Sequence, residues 1–450
     1  MRAFKYCGKI AAAAFFIVSC FSDSAAQTER RIPVGVQPSS ILLKGNDLHV
    51  FCSGSDKNFN GTFETGDVAA SWWILDATTF AVKSSVTFPD AFLAPPPLRP
   101  GFSSTSVYLY MNGKINKYSL FTQQLTSENI VTIPASAGLV SAIGVAEIGV
   151  GDILNIVTRP TFTGPGFVYS HLVGIQDLGT PRTVGINPQQ FWLSADLSTS
   201  LLLNEGVGGQ NNSTLQIAKT VDTTTTETTI NIGDTGNYFL VQRDSAFVVM
   251  TGSHTVQIVD LLKMSVVKTI PTGTTGFDGP RECTINGDTI FVTTYNSDIR
   301  AFSITSGTLL KTLPTSGKVD PIVMSQGNIV AGVSQKKGTY DADSALAVFG
   351  LPPLVSVGND AVTLVPAEIS PNPVNDNATI SAKFSGEITS ANIELFNTAG
   401  ISVGTFTKEL LNGELRFAIS QSALKLSQGQ YMARISAGKN LAIVPFVVVK

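Results

Sequence analysis

Residues Thr289–Gly317 read TIFVTTYNSDIRAFSITSGTLLKTLPTSG and contain three short strands separated by two turns. Ile290, Val292 and Thr294 alternate with Phe291, Thr293 and Tyr295, which is the two-residue period of a strand. A tight turn follows at Tyr295–Asp298, and a second turn is expected at Ser306-Gly307. Such a unit has two apolar faces and cannot bury them by itself, so it must pack between similar units.

The same unit recurs over residues 30–360 at a period of about 43 residues, which predicts four strands per unit. One strand with a turn ahead of it occurs in seven copies: GNDLHVFCSG at 45, TSVYLYMNG at 105, GDILNIVTRP at 151, STSLLLNEG at 198, SAFVVMTG at 245, GDTIFVTTYNSD at 287 and GNIVAGVSQ at 327. A second strand follows each copy, near Ile74, Ile115, Val173, Leu215, Val256, Ile299 and Leu346. We therefore predict an all-β fold in which seven blades form a closed β-propeller.

These repeats resemble those of YVTN-type β-propellers, most clearly in the later blades. The resemblance covers about the same stretch, residues 30–360, and implies the propeller fold. The early strand Arg31–Gly35 is similar to the strand that ends other units. We therefore expect it to complete the last blade and close the ring.

The last part of the chain follows a different pattern. Short alternating strands after the turn cluster Ser370–Asp376 predict a small immunoglobulin-like β-sandwich. The motifs PNPV, IELFNTAG, LSQGQYMARI and the terminal FVVVK occur in order. They resemble the type IX secretion system C-terminal sorting domain, here residues 364–450. That resemblance implies export across the outer membrane by the type IX secretion machinery. In the family, proteolytic removal of this domain and attachment to surface lipopolysaccharide often follow.

The N-terminal residues resemble a targeting signal. Arg2, Lys5 and Lys9 precede the apolar stretch Ile10–Ser19, which is too short to span a membrane, and Ser24-Ala25-Ala26 offers a cleavage site. We predict a signal peptide over residues 1–26 and no membrane span in the mature chain. The alternative is a lipid on Cys20, because Ile17–Cys20 resembles a lipobox.

Two cysteines, Cys52 and Cys283, remain in the mature chain. Export permits a disulfide between them, but each lies in a strand-like segment far from the other, which favours two buried free thiols.

The first blade contains an expanded loop, DKNFNGTFETGD, between its two recurring strands. Its oxygen-bearing residues follow the spacing of a twelve-residue Ca²⁺ loop, with Gly61 at the sharp turn. The predicted ligands are Asp56, Asn58, Asn60, Thr62 (through its carbonyl), Glu64 and Asp67. A structural Ca²⁺ site of modest affinity is expected. The alternative is a polar hairpin in which Asn60-Gly61 makes the turn.

Composition excludes several function classes. Charged residues make up 14% and apolar residues 43% of the 450-residue chain, which rules out a disordered protein. Residues 27–360 (the predicted propeller) hold 20 basic and 26 acidic residues, so they are not expected to bind nucleic acid or to hold polyanions strongly. Three dispersed histidines and the lack of the common catalytic motifs give no assignable catalytic residue.

These observations favour a secreted or cell-surface module that is not an enzyme and binds a glycan, peptide or envelope component. One alternative is a propeller hydrolase or lactonase with a metal at the central channel. Another is a structural surface or adhesion protein.

Overall fold

The computed structural model describes residues 28–58, 63–93, 99–148, 151–175, 178–221, 224–350, 363–385, 388–397, 402–424, 426–438 and 440–449. The predicted signal peptide lies outside these residues. The chain forms two compact units, Met1–Pro352 and Pro353–Lys450.

The first unit is a seven-bladed β-propeller, as predicted. Its described strands form seven four-stranded antiparallel sheets, and blades 1 to 6 each contain four consecutive strands. The strands of these blades are β2 Pro38–Lys44, β3 Asp47–Cys52, β4 Ser71–Asp76, β5 Val82–Thr87; β6 Gly101–Phe102, β7 Ser106–Met111, β8 Lys114–Ser119, β9 Leu125–Thr132; β10 Leu139–Ile148, β11 Gly151–Arg159, β12 Pro165–Leu172, β13 Arg182–Ile186; β14 Pro188–Leu193, β15 Thr199–Asn204, β16 Ser213–Val221, β17 Thr224–Gly233; β18 Gly236–Gln242, β19 Ser245–Met250, β20 Thr255–Asp260, β21 Ser265–Pro271; β22 Pro280–Asn286, β23 Thr289–Thr294, β24 Asp298–Ser303, β25 Leu309–Pro314. A short 3-10 helix, Ala135–Ala137, precedes β10.

The seventh blade closes the ring. It contains β26 Gly317–Ser325, β27 Asn328–Lys336 and β28 Ala342–Gly350, and its outermost strand is β1, Arg30–Pro33, from the start of the chain. β1 pairs antiparallel with β28, and the Arg31 guanidinium lies 2.7 Å from the Asp343 carboxylate. The predicted closure by the early strand is confirmed.

The third blade corrects one sequence prediction. Its third strand begins at Pro165 and ends at Leu172, so Val173, the predicted start, lies just after the strand. The letters TGPGF suggest a turn, because Pro and Gly are strong turn formers. Pro165 occupies the first strand position, where the missing N–H is tolerated. At Gly166 a side chain is excluded, because a Cβ would come within 2.4 Å of the Thr158 carbonyl.

Apolar packing between neighbouring blades holds the ring together. Among the described residues of the propeller, buried apolar side chains form seven clusters, one at each blade-to-blade junction. The cluster between blades 7 and 1 contains Ile32 of β1 beside Leu48, Val50 and Leu346. The two faces that each sheet cannot bury alone are therefore buried by its neighbours.

The antiparallel order gives the propeller two different faces. Connections between the second and third strands of a blade, and between consecutive blades, all lie on one side, which we call the loop face. The other connections lie on the opposite side, which we call the turn face because it carries tight turns such as Gly45-Asn46 and Gly287-Asp288. The long connections 53–70, 205–212 and 272–279 all lie on the loop face.

The second unit is a two-sheet β-sandwich. Its sheets have the strand orders β29-β36-β35-β32-β33 and β30-β31-β34. The strands are β29 Thr363–Leu364, β30 Ala367–Ser370, β31 Asn377–Lys383, β32 Ser390–Asn397, β33 Ser402–Glu409, β34 Glu414–Ser420, β35 Gly429–Ala437 and β36 Asn440–Val448. One buried cluster, including Ile380, Ile393 and Phe446, joins both sheets.

Candidate functional site

The loop of the predicted Ca²⁺ site lies on the loop face of blade 1. Asn60 and Thr62 lie outside the described residues. The carboxylate of Asp67 accepts hydrogen bonds from the backbone N–H groups of Lys57 (2.8 Å) and Glu64 (2.9 Å). Asn58 Nδ2 donates to Glu64 Oε1 at 2.6 Å, and Asp56 Oδ1 accepts from the Asn58 N–H. Four of the six predicted ligands are therefore close together in one loop. In the part of the chain that the structure describes, no group of three or more His, Cys, Asp or Glu side chains is arranged to hold a metal.

A polar pocket of about 390 Å³ lies on the same face, and blades 3 to 6 contribute its walls. Its volume is within the range of roughly 300–1,000 Å³ that is usual for small-molecule sites. The lining residues are Arg159, Phe162, Thr163, Asn187, Gln189, Glu205, Gly206, Val207, Gly208, Asn237 and Arg281. Sequence reasoning assigned no function to any of them.

A hydrogen-bond network on blades 3 and 4 forms one wall. Arg159 is 7% exposed at the end of β11, and its Nη1 donates to Asn187 Oδ1 at 3.1 Å. Asn187 Nδ2 donates to Glu205 Oε2 at 2.8 Å, and Gln189 Nε2 donates to the same oxygen. Burial raises the pKa of the Glu205 carboxyl above its ordinary value, although the charges of Arg159 and Arg281 oppose this rise. The carboxyl is therefore easier to protonate than an exposed glutamate.

Gly206 shapes the loop beside that network. Its φ of +78° is in the left-handed region, and a Cβ there would lie 2.3 Å from Asn212 Oδ1. The same Asn212 oxygen accepts the backbone N–H of Val207 at 2.8 Å. Glycine therefore lets the chain turn directly after Glu205, which keeps that carboxylate at the pocket.

Arg281, at the start of blade 6, forms the opposite wall. Its Nη2 lies 3.6 Å from Asp320 Oδ2, and its guanidinium lies over the Tyr295 ring at 4.5 Å from the centroid. Asn237 Nδ2 donates to the Arg281 carbonyl at 2.7 Å. The first two contacts hold the guanidinium, and the third holds the Arg281 backbone. A planar guanidinium held in this way is suited to bidentate recognition of an oxygen-bearing ligand.

Arg99 crosses the interior of the ring. It precedes blade 2, yet its Nη1 lies 2.9 Å from Glu282 Oε1 on blade 6, and its Nη2 donates to the Asn237 carbonyl on blade 5 at 3.2 Å. Its guanidinium also lies over the Tyr238 ring at 4.6 Å. Burial raises the pKa of the Glu282 carboxyl while the Arg99 charge opposes it. This ion pair fills space between distant blades next to the pocket.

Exposed aromatic side chains lie on the loop face. Phe162 is 59% exposed and packs against the Arg159 guanidinium, which lies 4.8 Å from its ring centroid. Phe277 and Tyr340 are also largely exposed, in loops of this face. By contrast, Trp72, which follows the predicted Ca²⁺ loop, is fully buried, and its indole N–H donates to His49 Nδ1 at 3.2 Å. Phe162 therefore offers the pocket a flat apolar surface at its edge.

Two cysteines of the described residues lie in the core. Cys52 and Cys283 are both buried and free. Burial raises the pKa of the Cys52 thiol to about 12, so it is a packing residue and not a nucleophile.

Residues 368–450 match the family described as the secretion system C-terminal sorting domain. Among solved structures, the chain is similar to the crystal structure of the computationally designed Ika8 protein, with 11% identity and a TM-score of 0.45. That alignment covers 71% of this chain and 98% of the designed one. A comparison with curated proteins gave no significant match.

The second unit is thus a type IX secretion sorting domain, and the protein is secreted or attached at the outer cell surface. The described residues include no helix with the length and apolarity needed to cross a membrane.

Proposed function

We propose that the propeller is a binding module displayed outside the cell and that its ligand occupies the pocket on the loop face. The observation that carries the proposal is the convergence of Arg159, Glu205 and Arg281, from three different blades, on one cavity. Each is held by hydrogen bonds, ion pairing or ring stacking, so the cavity is preorganised. Its mixture of amides, charged groups and one exposed aromatic ring favours a glycan over an apolar ligand.

The arrangement of the charges favours binding over catalysis. Next to the pocket, Glu282 and Asp320 each lie beside an arginine, at 2.9 Å and 3.6 Å. Glu205 accepts hydrogen bonds from two amides. Paired carboxylates of this kind stabilise a rigid polar surface. The alternatives are a hydrolase, which would cleave a bound glycan, and a purely structural protein, which would bind none.

The test is glycan-array binding by the purified full chain, followed by titration of the best ligand. Phe162→Ala is expected to weaken binding by about ten-fold, since loss of one stacked aromatic ring costs roughly 1–2 kcal/mol. The matched control is Phe121→Ala, because Phe121 is 70% exposed but lies on the turn face. Equal effects of the two variants, or no glycan bound at all, would contradict the proposal.

We also propose that the blade 1 loop binds Ca²⁺ and that the ion fixes the loop. The clustering of Asp56, Asn58, Glu64 and Asp67 supports this. Titration of the full chain with Ca²⁺ up to about 10 mM, above the range of extracellular modules, is expected to release heat and raise the melting temperature. Asp56→Asn should weaken both effects. If Ca²⁺ releases no heat and does not raise the melting temperature, this proposal is contradicted.

A further inference from the structure

We propose that the pocket recognises an acidic sugar residue through its carboxylate, with Arg159 and Arg281 as the carboxylate-binding groups. This inference rests on the proposed binding function and narrows it to one chemical class. The eleven lining residues include two arginines and one glutamate, so the lining carries a formal charge of +1. It lies in a domain whose formal charge is −6. Asp320, which lies 3.6 Å from Arg281 outside the lining, offsets one of the positive charges, so the pocket suits a single acidic group and disfavours a long polyanion.

The arginine N–H groups exceed the acceptors that the protein supplies to them. Within the described residues, Nε of Arg159 and Nε of Arg281 are buried without a hydrogen-bond partner. The Arg159 guanidinium donates through Nη1 to Asn187 Oδ1 at 3.1 Å. Neither Nε is accessible, so a ligand oxygen would reach the two guanidinium groups through their Nη atoms, which are not among the buried unpaired atoms of the described residues. A carboxylate has two acceptor oxygens with the spacing of a guanidinium fork.

The remainder of the lining suits a sugar ring attached to that carboxylate. The side-chain amides of Asn187, Gln189 and Asn237 can exchange hydrogen bonds with hydroxyl groups. Phe162 supplies the flat apolar surface on which a sugar face packs. An acidic peptide would use the arginines but would leave this combination of amides and one ring largely unused. The arrangement therefore favours an acidic sugar.

The test uses the purified full chain with a galacturonate trisaccharide and its methyl ester, measured by calorimetry at physiological salt. The two probes differ in charge and hardly in shape. The free acid is expected to bind at least about ten-fold more tightly than the ester. A charge-assisted hydrogen bond strengthens binding by roughly that factor. Arg159→Gln should remove that preference, whereas Arg243→Gln, an exposed arginine on the turn face, should keep it.

Since a buried arginine contributes to stability, Arg159→Lys is the second variant, and circular dichroism with thermal melting verifies the fold of both. Arg159→Lys keeps the charge but loses the fork, and it should reduce the preference partially. If the ester or a neutral trisaccharide binds as well as the acid, this inference fails while the proposed binding function stands. Binding only of a sulfated sugar or an acidic peptide would also overturn it. If no glycan binds, the proposed function fails as well.

Discussion

Arg99 and Glu282 form the ion pair with the strongest expected effect on stability. Their side chains are 15% and 6% exposed, so each charge depends on the other. Arg99→Met should lower the free energy of unfolding by about 3–5 kcal/mol, because it leaves Glu282 buried without a counter-charge. Urea denaturation measures this change.

The second substitution Glu282→Gln, made in the Arg99→Met background, provides the control for that experiment. It should recover most of the loss, since the unpaired charge is gone. A double variant as unstable as the single one would show that Arg99 acts through packing alone.

Glu205 makes ligand binding depend on pH. Burial raises its pKa, and the charges that face it are those of Arg159 and Arg281. When it is ionised, Glu205 repels a ligand carboxylate, and protonation removes that repulsion. A sugar carboxylate has an ordinary pKa near about 3.5 and stays charged throughout. Affinity for the galacturonate trisaccharide should therefore increase as the pH falls through the raised pKa of Glu205.

The matched variant for the pH series is Glu205→Gln. Because its side chain carries no charge, this variant should lose the increase in affinity that the parent chain shows as Glu205 becomes protonated. A pH profile that is unchanged in Glu205→Gln would assign the dependence to another group.

At the scale of elements, the stability of the ring depends on the closing strand β1. Ile32 is its buried apolar anchor, with Leu48 and Leu346 in the same cluster. Ile32→Ala should lower the free energy of unfolding by about 2–4 kcal/mol, as for other large-to-small core changes. Val82→Ala, on the outermost strand β5 but 49% exposed, should change it by less than about 1 kcal/mol. Thermal melting compares the two, and equal losses would contradict the assigned role of β1.

Sequence patterning predicted the elements well because alternation is a local property. Two sets of recurring strands predicted seven blades. The similarity between Arg31–Gly35 and the other outer strands predicted that this segment closes the ring. The third strand of blade 3 was predicted to begin near Val173 because Pro165 and Gly166 are residues typical of turns, whereas they lie at the start of that strand.

The pocket could not be predicted, because its residues are distant in sequence and meet only when the ring closes. Arg159 is the last residue of the apolar strand that begins GDILNIVT, and Glu205 directly follows the strand TSLLLN. These positions are the signal that the sequence offers. Arg281 gives no such signal. Its position depends on Tyr295 and Asp320, which the fold of blades 6 and 7 places beside it. The Ca²⁺ loop is the opposite case, since all its proposed ligands lie within twelve residues, and it stays a prediction.

At the scale of the whole molecule, the sorting domain determines where the propeller acts. Deletion of residues 364–450 should keep the protein from reaching the cell surface or the medium, because the matched sorting domain lies within them. Cell fractionation and surface labelling measure the outcome. Deletion variants should be compared with the chain carrying Phe121→Ala, which leaves the sorting domain intact. Surface display of the deleted chain would contradict its role in export.

The donation of the first strand to the last blade also constrains biosynthesis. β1 leaves the ribosome first but finds its partner, β28, only after nearly all of the propeller has been made. The export address is encoded still later, beyond that partner. A polypeptide that ends before β28 cannot close the ring, and it also lacks the sorting domain. Every polypeptide long enough to carry the sorting domain therefore also contains β28, the strand with which β1 pairs to close the ring.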